Sequence, residues 1–380
     1  MIKILLTSTA LLFASTLLAQ TDTSSAEKYL LIGAYTKTSD EGISVYAFNT
    51  QTGAFRFVST AKNVENPSYM VISPDHKYVY AVNETNGNNP GNVSAFEWDT
   101  TSGQLTFLNK QPSGGDDPCY ITTDQDGKYV VVANYSGGSF SILPVKPDGR
   151  LEAPVQTIEH TGSGPNKERQ EKPHVHCVYF SPDHHQLYVS DLGIDQIAIY
   201  NYRQGDVQPL VPATPGFAPF PPGSGPRHLV FHPNGKWVYV VHELDGKITA
   251  FHYDNGKLTP FQAISILPDN FKGKPWAADL HISSDGKFLY ATNRDPLNNI
   301  LTFSINSKTG NLVKKGETPT GGKTPRNFVI DPTGNFLLIA HQGSNNVTVF
   351  KRDKVTGLLK KQKEELKTAS PVCLKFIGSN

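Results

Sequence analysis

The stretch Gly225–Leu244 reads GPRHLVFHPNGKWVYVVHEL and has the pattern of a single β-hairpin. An apolar run leads into a Pro-Asn-Gly turn, and a second apolar run follows the turn. Because the two strands of a hairpin are antiparallel, the start of the first strand lies beside the end of the second. The hairpin therefore predicts a polar end opposite the turn, made of Arg227, His228, His242 and Glu243.

The same unit recurs along the chain at intervals of roughly fifty residues, which is the length of a propeller blade. The second strands of the seven copies begin at Lys28, Lys77, Lys128, Gln186, Lys236, Lys287 and Asn335. A second marker, a small or polar residue followed by Gly between short β-type runs, appears once in each copy. The repeat predicts an all-β fold, a seven-bladed β-propeller with four-stranded antiparallel blades.

The two ends of the repeat predict how the ring closes. The first copy lacks its opening strand, whereas Pro371–Ile377 is a strand left over after the last copy. Pairing these two ends completes a blade and leaves no exposed edge strand. Two segments interrupt the pattern: Glu159–Pro173 is a polar insertion, and the proline-rich Pro209–Gly225 is expected to be a long loop.

The N-terminus has the layout of a secretory signal peptide. Lys3 precedes an apolar run, Ile4–Leu18, and small Ala19 closes the segment. We expect residues 1–19 to be a signal peptide, residues 20–26 a short linker and residues 27–380 a single propeller domain. The protein is expected to be exported to the periplasm, without further membrane association, and to be cytoplasmic only if this segment is not functional.

Composition narrows the functional classes. The net charge is +1, from 35 basic and 34 acidic residues, which gives no general argument for binding nucleic acid. The three cysteines, Cys119, Cys177 and Cys373, are expected to be buried thiols, because they are too few for a disulfide framework. The pair His174 and His176 has a spacing that a metal could use, but no nearby carboxylate completes a set. We expect no metal, no cofactor and a monomer.

The blade ends opposite the turns predict a polar ring around one channel mouth. Arginines, histidines and a carboxylate converge there in a nearly neutral protein, so the mouth is cationic on balance. The fork of an arginine matches a carboxylate or a phosphate, which favours a small anionic ligand. The positions on this ring are Tyr35, Ser68, Tyr69, Asn83, Glu84, Tyr120, Asn134, Tyr135, His174, His176, Asp191, Arg227, His228, His242, Glu243, Asp279, His281, Asn293, Arg294, Arg326, Asn327, His341 and Gln342.

The opening hairpin resembles the signature of the propeller lactonase family, which contains bacterial propeller-type 6-phosphogluconolactonases and fungal carboxymuconate lactonizing enzymes. Its matching residues are Gly225–His228, Phe231–Pro233 and Glu243–Leu244, and further matching segments are Asp191–Gly193, Trp276–His281, Asp285–Gly286, Leu289–Arg294, Pro325–Arg326, Asp331 and Gly334. The resemblance implies a catalytic site of His176, Arg227, Glu243 and Arg294. His242 stands where the family commonly has Asn.

The resemblance also implies hydrolysis of a sugar-acid lactone, gluconolactone or 6-phosphogluconolactone, in carbohydrate metabolism. Glu243 is expected to act as the general base for water, Arg227 or Arg294 to stabilise the oxyanion and His176 to donate a proton. Six further residues are expected to contact the substrate: His174, His228, His242, Asp279, His281 and Arg326. Two alternatives remain open, a lactonizing cycloisomerase acting on a muconate and a non-catalytic exported propeller that binds an anionic ligand or partner.

Overall fold

The computed structural model describes residues 26–38 and 41–378, and their regular secondary structure consists of strands. The predicted signal peptide and nearly all of the predicted linker lie outside the described residues. The strands, in chain order, are β1 (Glu27–Ala34), β2 (Gly42–Asn49), β3 (Phe55–Lys62), β4 (Met70–Ile72), β5 (Tyr78–Asn83), β6 (Asn92–Asp99), β7 (Gln104–Pro112), β8 (Pro118–Thr123), β9 (Tyr129–Asn134), β10 (Ser139–Pro144), β11 (Gln156–Glu159), β12 (Val175–Phe180), β13 (Gln186–Asp191) and β14 (Gln196–Tyr202). They continue with β15 (Leu210–Pro219), β16 (Pro226–Phe231), β17 (Trp237–His242), β18 (Lys247–Asp254), β19 (Lys257–Ser265), β20 (Ala277–Ile282), β21 (Phe288–Asn293), β22 (Asn299–Ile305), β23 (Leu312–Pro319), β24 (Pro325–Ile330), β25 (Phe336–His341), β26 (Asn346–Arg352), β27 (Leu359–Lys367) and β28 (Pro371–Phe376).

These strands form seven four-stranded antiparallel sheets, which are the blades of a β-propeller. Six blades use consecutive strands, β4–β7, β8–β11, β12–β15, β16–β19, β20–β23 and β24–β27. The first strands of neighbouring blades contact one another around the ring, so they line the central channel. The predicted fold class is therefore confirmed.

The seventh blade joins the two ends of the chain, in the strand order β28-β1-β2-β3. Strand β28 pairs antiparallel with β1, from Leu30 opposite Phe376 to Ala34 opposite Pro371. The predicted ring closure is thus confirmed. Closure pairs the edge that each of these two strands would otherwise expose.

The hydrophobic core lies between the blades. Six blades place a fully buried phenylalanine on the third strand of the sheet, and these residues are Phe48, Phe96, Phe140, Phe251, Phe303 and Phe350. Burying a side chain of this size contributes about 1.5–3 kcal/mol. The three cysteines are buried and unpaired, as the sequence predicted.

One turn position recurs in the six sequential blades, between the first and second strands. It adopts a left-handed backbone conformation, with φ of +69° at Gly235, +59° at His76 and +55° at His184. Glycine takes this conformation without steric cost, which explains the Gly in most copies of the turn. This turn fixes one end of each inner hairpin, which we call the turn end of the channel.

The opposite end, which we call the mouth, carries a β-bulge in six blades. Near the mouth the first strand has one residue more than its partner, so the pairing register shifts there. A bulge bends the strand and redirects a side chain. The shifts fall at Cys119, His176, Arg227–His228, Ala278–Asp279, Arg326 and Val372.

The prediction of a long loop over residues 209–225 is wrong for most of that segment. Residues Leu210–Pro219 form β15, the outermost strand of its blade, and pair with β14. An edge strand tolerates proline, because the missing N–H faces away from the sheet. The loop is limited to the residues between Pro219 and β16.

Candidate active site

Two positions in each blade supply side chains to the mouth. The first is the bulged part of the innermost strand, which supplies His176, Arg227 and Arg326. The second is the residue that follows the second strand, and here lie Tyr35, Glu84, Tyr135, Glu243 and Arg294. The repeat therefore gathers residues that are far apart in the sequence.

Glu243 lies at the centre of a cluster of three arginines. Its Oε2 is 2.7 Å from Nη2 of Arg294 and 3.0 Å from Nε of Arg227. The contact with Arg227 is an ion pair whose geometry does not meet the angular criteria for a hydrogen bond. Its Oε1 accepts a hydrogen bond of 2.5 Å from Nη2 of Arg169. Both oxygens of this buried carboxylate are thus held by guanidinium groups.

The backbone of β20 fixes two of these arginines. Arg227 Nη1 donates to the carbonyl oxygen of Ala278, and Arg294 Nη2 donates to that of Ala277 at 3.0 Å. The guanidinium of Arg294 also lies 4.1 Å from the centroid of the Trp276 ring, a cation–π contact. Both guanidinium groups are therefore pre-organised.

The cluster stays charged at neutral pH. Burial alone would raise the pKa of Glu243, but the charges of Arg294, Arg227 and Arg169 outweigh burial and hold it well below its usual value. Burial lowers the pKa of Arg294 to about 9, with Glu243 opposing that shift. A carboxylate and three guanidinium groups therefore coexist in a desolvated site.

A second carboxylate lies at the mouth with its own partners. Tyr35 donates its hydroxyl hydrogen to Oε1 of Glu84 at 2.7 Å, and Arg326 Nη2 approaches the same oxygen at 3.8 Å. Burial acts to lower the pKa of Arg326, whereas Tyr35, Glu84 and, more weakly, Glu243 act to raise it. Arg326 therefore lies near Glu84 and interacts electrostatically with Glu243.

His176 lies beside this cluster as a neutral imidazole. Its pKa lies well below the usual value because of burial and then the charges of Arg227, His228 and Arg326. Its Nδ1 is 3.8 Å from Sγ of Cys119, and burial raises the pKa of that thiol well above its usual value. Cys119 is therefore a thiol at neutral pH and lacks the charge of a nucleophile.

His228 and Asp279 form the floor of the mouth across the channel. Nδ1 of His228 is 2.8 Å from Oδ1 of Asp279, whose Oδ2 accepts a 2.6 Å hydrogen bond from Asn327. The rings of Tyr69 and Tyr120 pack edge-on against His228. On the turn-end side of this floor lies a cavity of about 550 Å³, lined partly by these residues.

Two of the predicted substrate contacts lie away from the arginine cluster. The ring of His242 packs edge-on against Phe220, with Nδ1 3.0 Å from Asp245, so we remove His242 from the candidate site. His281 lines the cavity on the turn-end side of the floor, 3.1 Å from Asp279, because it lies nearer the turn on β20. We remove it as well.

His174 occupies an intermediate place at the edge of the mouth. Its ring stacks on Tyr135 at a centroid distance of 4.5 Å, and Nε2 is 3.1 Å from Glu171. It supports Tyr135, whose hydroxyl oxygen accepts a hydrogen bond from Arg169. The structure therefore brings together Glu243, Arg227, Arg294, Arg326 and His176, above His228 and Asp279.

Sequence reasoning missed Arg169. It lies in the polar insertion between β11 and β12, which interrupts the repeat, so its position could not be assigned by comparing blades. The feature of the sequence that could have indicated Arg169 is the insertion itself, a segment of fifteen residues in an otherwise regular repeat. Long loops without secondary structure often serve a function.

Within the described part of the chain, no group of three or more His, Cys, Asp and Glu side chains is placed to hold a metal ion. No helix in residues 26–38 and 41–378 is long and apolar enough to cross a membrane.

Comparison with known proteins agrees with the predicted family. A family model described as a seven-bladed β-propeller lactonase matches residues 29–376. A 6-phosphogluconolactonase of Bacillus subtilis is 36% identical over 353 residues, which covers 92% of this chain and 99% of that protein. A 6-phosphogluconolactonase of Formosa agariphila is 40% identical over 342 residues, which covers 89% of this chain and 96% of that protein.

A solved structure gives the same result. The periplasmic gluconolactonase of Pseudomonas aeruginosa superposes with a TM-score of 0.89 at 36% identity, covering 93% of this chain and all of that one (100%). The fold, the mouth and these relatives agree: the chain belongs to the seven-bladed β-propeller lactonase family.

Proposed function

We propose that this lactonase hydrolyses a sugar-acid lactone, gluconolactone or its 6-phosphate, at the mouth of the propeller. The observation that carries the proposal is the buried Glu243 carboxylate held by Arg227 and Arg294. Lactone hydrolysis needs a group that takes a proton from water and cations that stabilise negative charge on the carbonyl oxygen. These residues can supply both.

In this proposal the oxygen of water attacks the carbonyl carbon while Glu243 accepts one proton of that water. The guanidinium groups of Arg227 and Arg294 stabilise the oxyanion of the tetrahedral intermediate. When the intermediate collapses, the bond between the carbonyl carbon and the ring oxygen breaks. Glu243 then returns its proton to the ring oxygen, and the new acid ionises to a carboxylate.

The neutral state of His176 changes the role expected from the sequence. An imidazole whose pKa lies well below its usual value is not an imidazolium donor at neutral pH. We therefore assign His176 a hydrogen bond toward the ring oxygen and assign the proton transfer to Glu243. His228 and Asp279 are proposed to support His176 and Arg227 from below.

The charge of the mouth supports an anionic ligand. At the mouth, four arginines face three carboxylates, which are Glu84, Glu243 and, in the floor, Asp279. With His176 and His228 neutral, the guanidinium groups of this set outnumber its carboxylates. The surplus favours the carboxylate product and any phosphorylated substrate.

The test is to incubate the purified wild-type protein with a panel of lactones and to measure the rate at which acid is released. The proposal expects ring opening of gluconolactone, 6-phosphogluconolactone or both, well above the uncatalysed rate. A simple aliphatic lactone serves as the comparison and should react more slowly. Failure to accelerate any sugar lactone would overturn the proposal, and binding without turnover would favour a non-catalytic propeller.

We also propose that the mature chain, a single domain of residues 27–380, acts as a monomer in the periplasm. The signal-like residues 1–19 and the periplasmic relative from Pseudomonas aeruginosa support this location. Cell fractionation followed by N-terminal sequencing tests it. A periplasmic protein that begins near Gln20 is expected, and an unprocessed cytoplasmic protein would contradict it. Gel filtration with light scattering tests the monomer.

A further inference from the structure

Arg169 differs from the other arginines of the mouth in exposure. Its side chain is 35% exposed, whereas those of Arg326, Arg294 and Arg227 are 16%, 3% and 1% exposed. Solvent can therefore reach Arg169 most easily. A ligand that enters the mouth is expected to meet this guanidinium first.

The fork of Arg169 is only partly used. Its Nη2 donates both to Oε1 of Glu243 at 2.5 Å and to the hydroxyl oxygen of Tyr135 at 3.1 Å. Its Nε and Nη1 have no hydrogen-bond partner among the described residues. Each two-nitrogen edge of a guanidinium includes Nη2, so a phosphate or carboxylate that binds Arg169 with two oxygens must share Nη2 with Glu243 and Tyr135.

The neighbouring residue fixes the backbone of Arg169. Gln170 is fully buried, and its Nε2 donates to Leu192 O at 2.9 Å and to Oδ1 of Asp195 at 2.8 Å. The backbone N–H of Gln170 donates to Asn166 O at 2.7 Å. An anchored backbone with a part-exposed side chain suits a residue that binds a ligand repeatedly in one position.

We propose that Arg169 binds the anionic substituent of the substrate, a phosphate group on a sugar lactone. This inference rests on the proposed function and assigns the residue that selects between phosphorylated and plain lactones. A phosphate monoester carries about −1.5 to −2 charges at neutral pH, a sign that suits a mouth with more guanidinium groups than carboxylates.

Phosphate binding by Arg169 has a consequence for Glu243. The hydrogen bond of Nη2 to Oε1 of Glu243 competes with a new bond to the ligand, because one guanidinium edge cannot serve both fully. Drawing Arg169 toward the phosphate frees Oε1, the oxygen that is to accept the proton from water. Substrate recognition and activation of the base are thus coupled through one side chain.

The test compares Arg169→Gln with wild type on 6-phosphogluconolactone and gluconolactone. Loss of a charge-assisted fork should lower kcat/KM for the phosphorylated lactone by roughly 10- to 100-fold, mainly through KM. The value for plain gluconolactone should fall by less, so the preference for the phosphorylated lactone over plain gluconolactone should fall roughly 10-fold or more. Lys167→Gln, which removes one charge from an exposed residue of the same insertion, is the matched control and should leave both values unchanged.

A binding measurement keeps the inference separate from catalysis. Calorimetry with 6-phosphogluconate should show binding to wild type and to Lys167→Gln, and binding weakened roughly 10-fold or more in Arg169→Gln. Equal losses on both lactones, or unchanged binding of 6-phosphogluconate, would overturn the role of Arg169 while leaving lactone hydrolysis intact. No hydrolysis of either lactone by wild type would instead overturn the proposed function, and the binding result would still decide the role of Arg169.

Discussion

The two ends of the channel are built from the same blades but by different rules. At the turn end, three blades repeat one arrangement, in which a serine Oγ donates to an aspartate at 2.6 Å: Ser73 to Asp75, Ser181 to Asp183 and Ser283 to Asp285. At the mouth the blades differ, and one contributes Arg227 and Glu243, the next Arg294. Repetition at one end therefore maintains the scaffold, and variation at the other forms the site.

The difference lies in the range of the interactions. The serine–aspartate hydrogen bonds of the turn end join residues two positions apart, and Tyr78 N donates to Ser73 Oγ five positions back, so these bonds stay within one turn. The contacts of Glu243 reach Arg169 and Arg294, which lie in other blades or loops. We therefore expect changes at the mouth to affect activity and changes at the turn end to affect stability.

The largest effect is expected from Arg294→Gln at the mouth. Removing a cation that stabilises the oxyanion should lower kcat by about 10²- to 10³-fold. Steady-state hydrolysis of the better lactone measures this loss. Arg150→Gln, at an exposed arginine paired only with Asp148, should keep wild-type activity. Similar kcat values for the two variants would contradict the separation of the two ends.

The floor between the two ends predicts a pH dependence of stability. Burial and then the charge of Arg227 lower the pKa of His228 to about 3 in the folded protein, against about 6.5 in the unfolded chain. Between these values the unfolded chain binds the extra proton, so the free energy of unfolding falls as pH decreases from about 6.5 toward 3.

One such histidine contributes a slope of up to about 1.4 kcal/mol per pH unit. Urea unfolding of His228→Gln between pH 6.5 and 4 should therefore show a weaker dependence on pH than wild type. His252→Gln, at an exposed histidine, should keep the wild-type slope. An unchanged slope in His228→Gln would show that His228 is not held neutral by the fold.

A smaller effect is expected from Asp331→Ala at the turn end. Oδ1 of Asp331 accepts a hydrogen bond of 2.5 Å from Phe336 N, and Oδ2 accepts one of 3.1 Å from Thr333 N. Leaving these buried groups without a partner should cost about 1–3 kcal/mol of stability in urea unfolding, with kcat unchanged. Exposed Asp254→Ala should cost less than about 0.5 kcal/mol. A loss of activity in folded Asp331→Ala would contradict the expectation that changes at the turn end affect stability alone.

The fold and the centre of the site could be predicted because the repeat carries both. Once seven hairpins are aligned, Arg227, Glu243 and Arg294 fall at equivalent blade ends, and the unpaired terminal strand closes the ring. The same alignment could not give the direction of each side chain. His242 and His281 occupy ring positions, yet His242 packs against Phe220 and His281 lies nearer the turn on β20.

Arg169 and β15 show the other limit of sequence reasoning. Arg169 reaches Glu243 from an insertion that has no counterpart in the other blades, so only the path of the folded loop reveals the contact. Strand β15 contains prolines, which are typical of loops. Because β15 lies at the outer edge of a blade, the missing N–H groups of these prolines break no hydrogen bond between strands. The contact of Arg169 and the formation of β15 both depend on where these segments lie in the folded protein, which the local sequence pattern does not show.

The most direct test of the mouth as the catalytic site is the kcat of Glu243→Gln on the lactone that wild type hydrolyses best. The amide keeps the shape of the side chain but cannot accept the proton from water, so kcat should fall by about 10²-fold or more. Thermal unfolding must show that the variant is folded. A folded Glu243→Gln protein with wild-type kcat would contradict the assignment of Glu243 as the base.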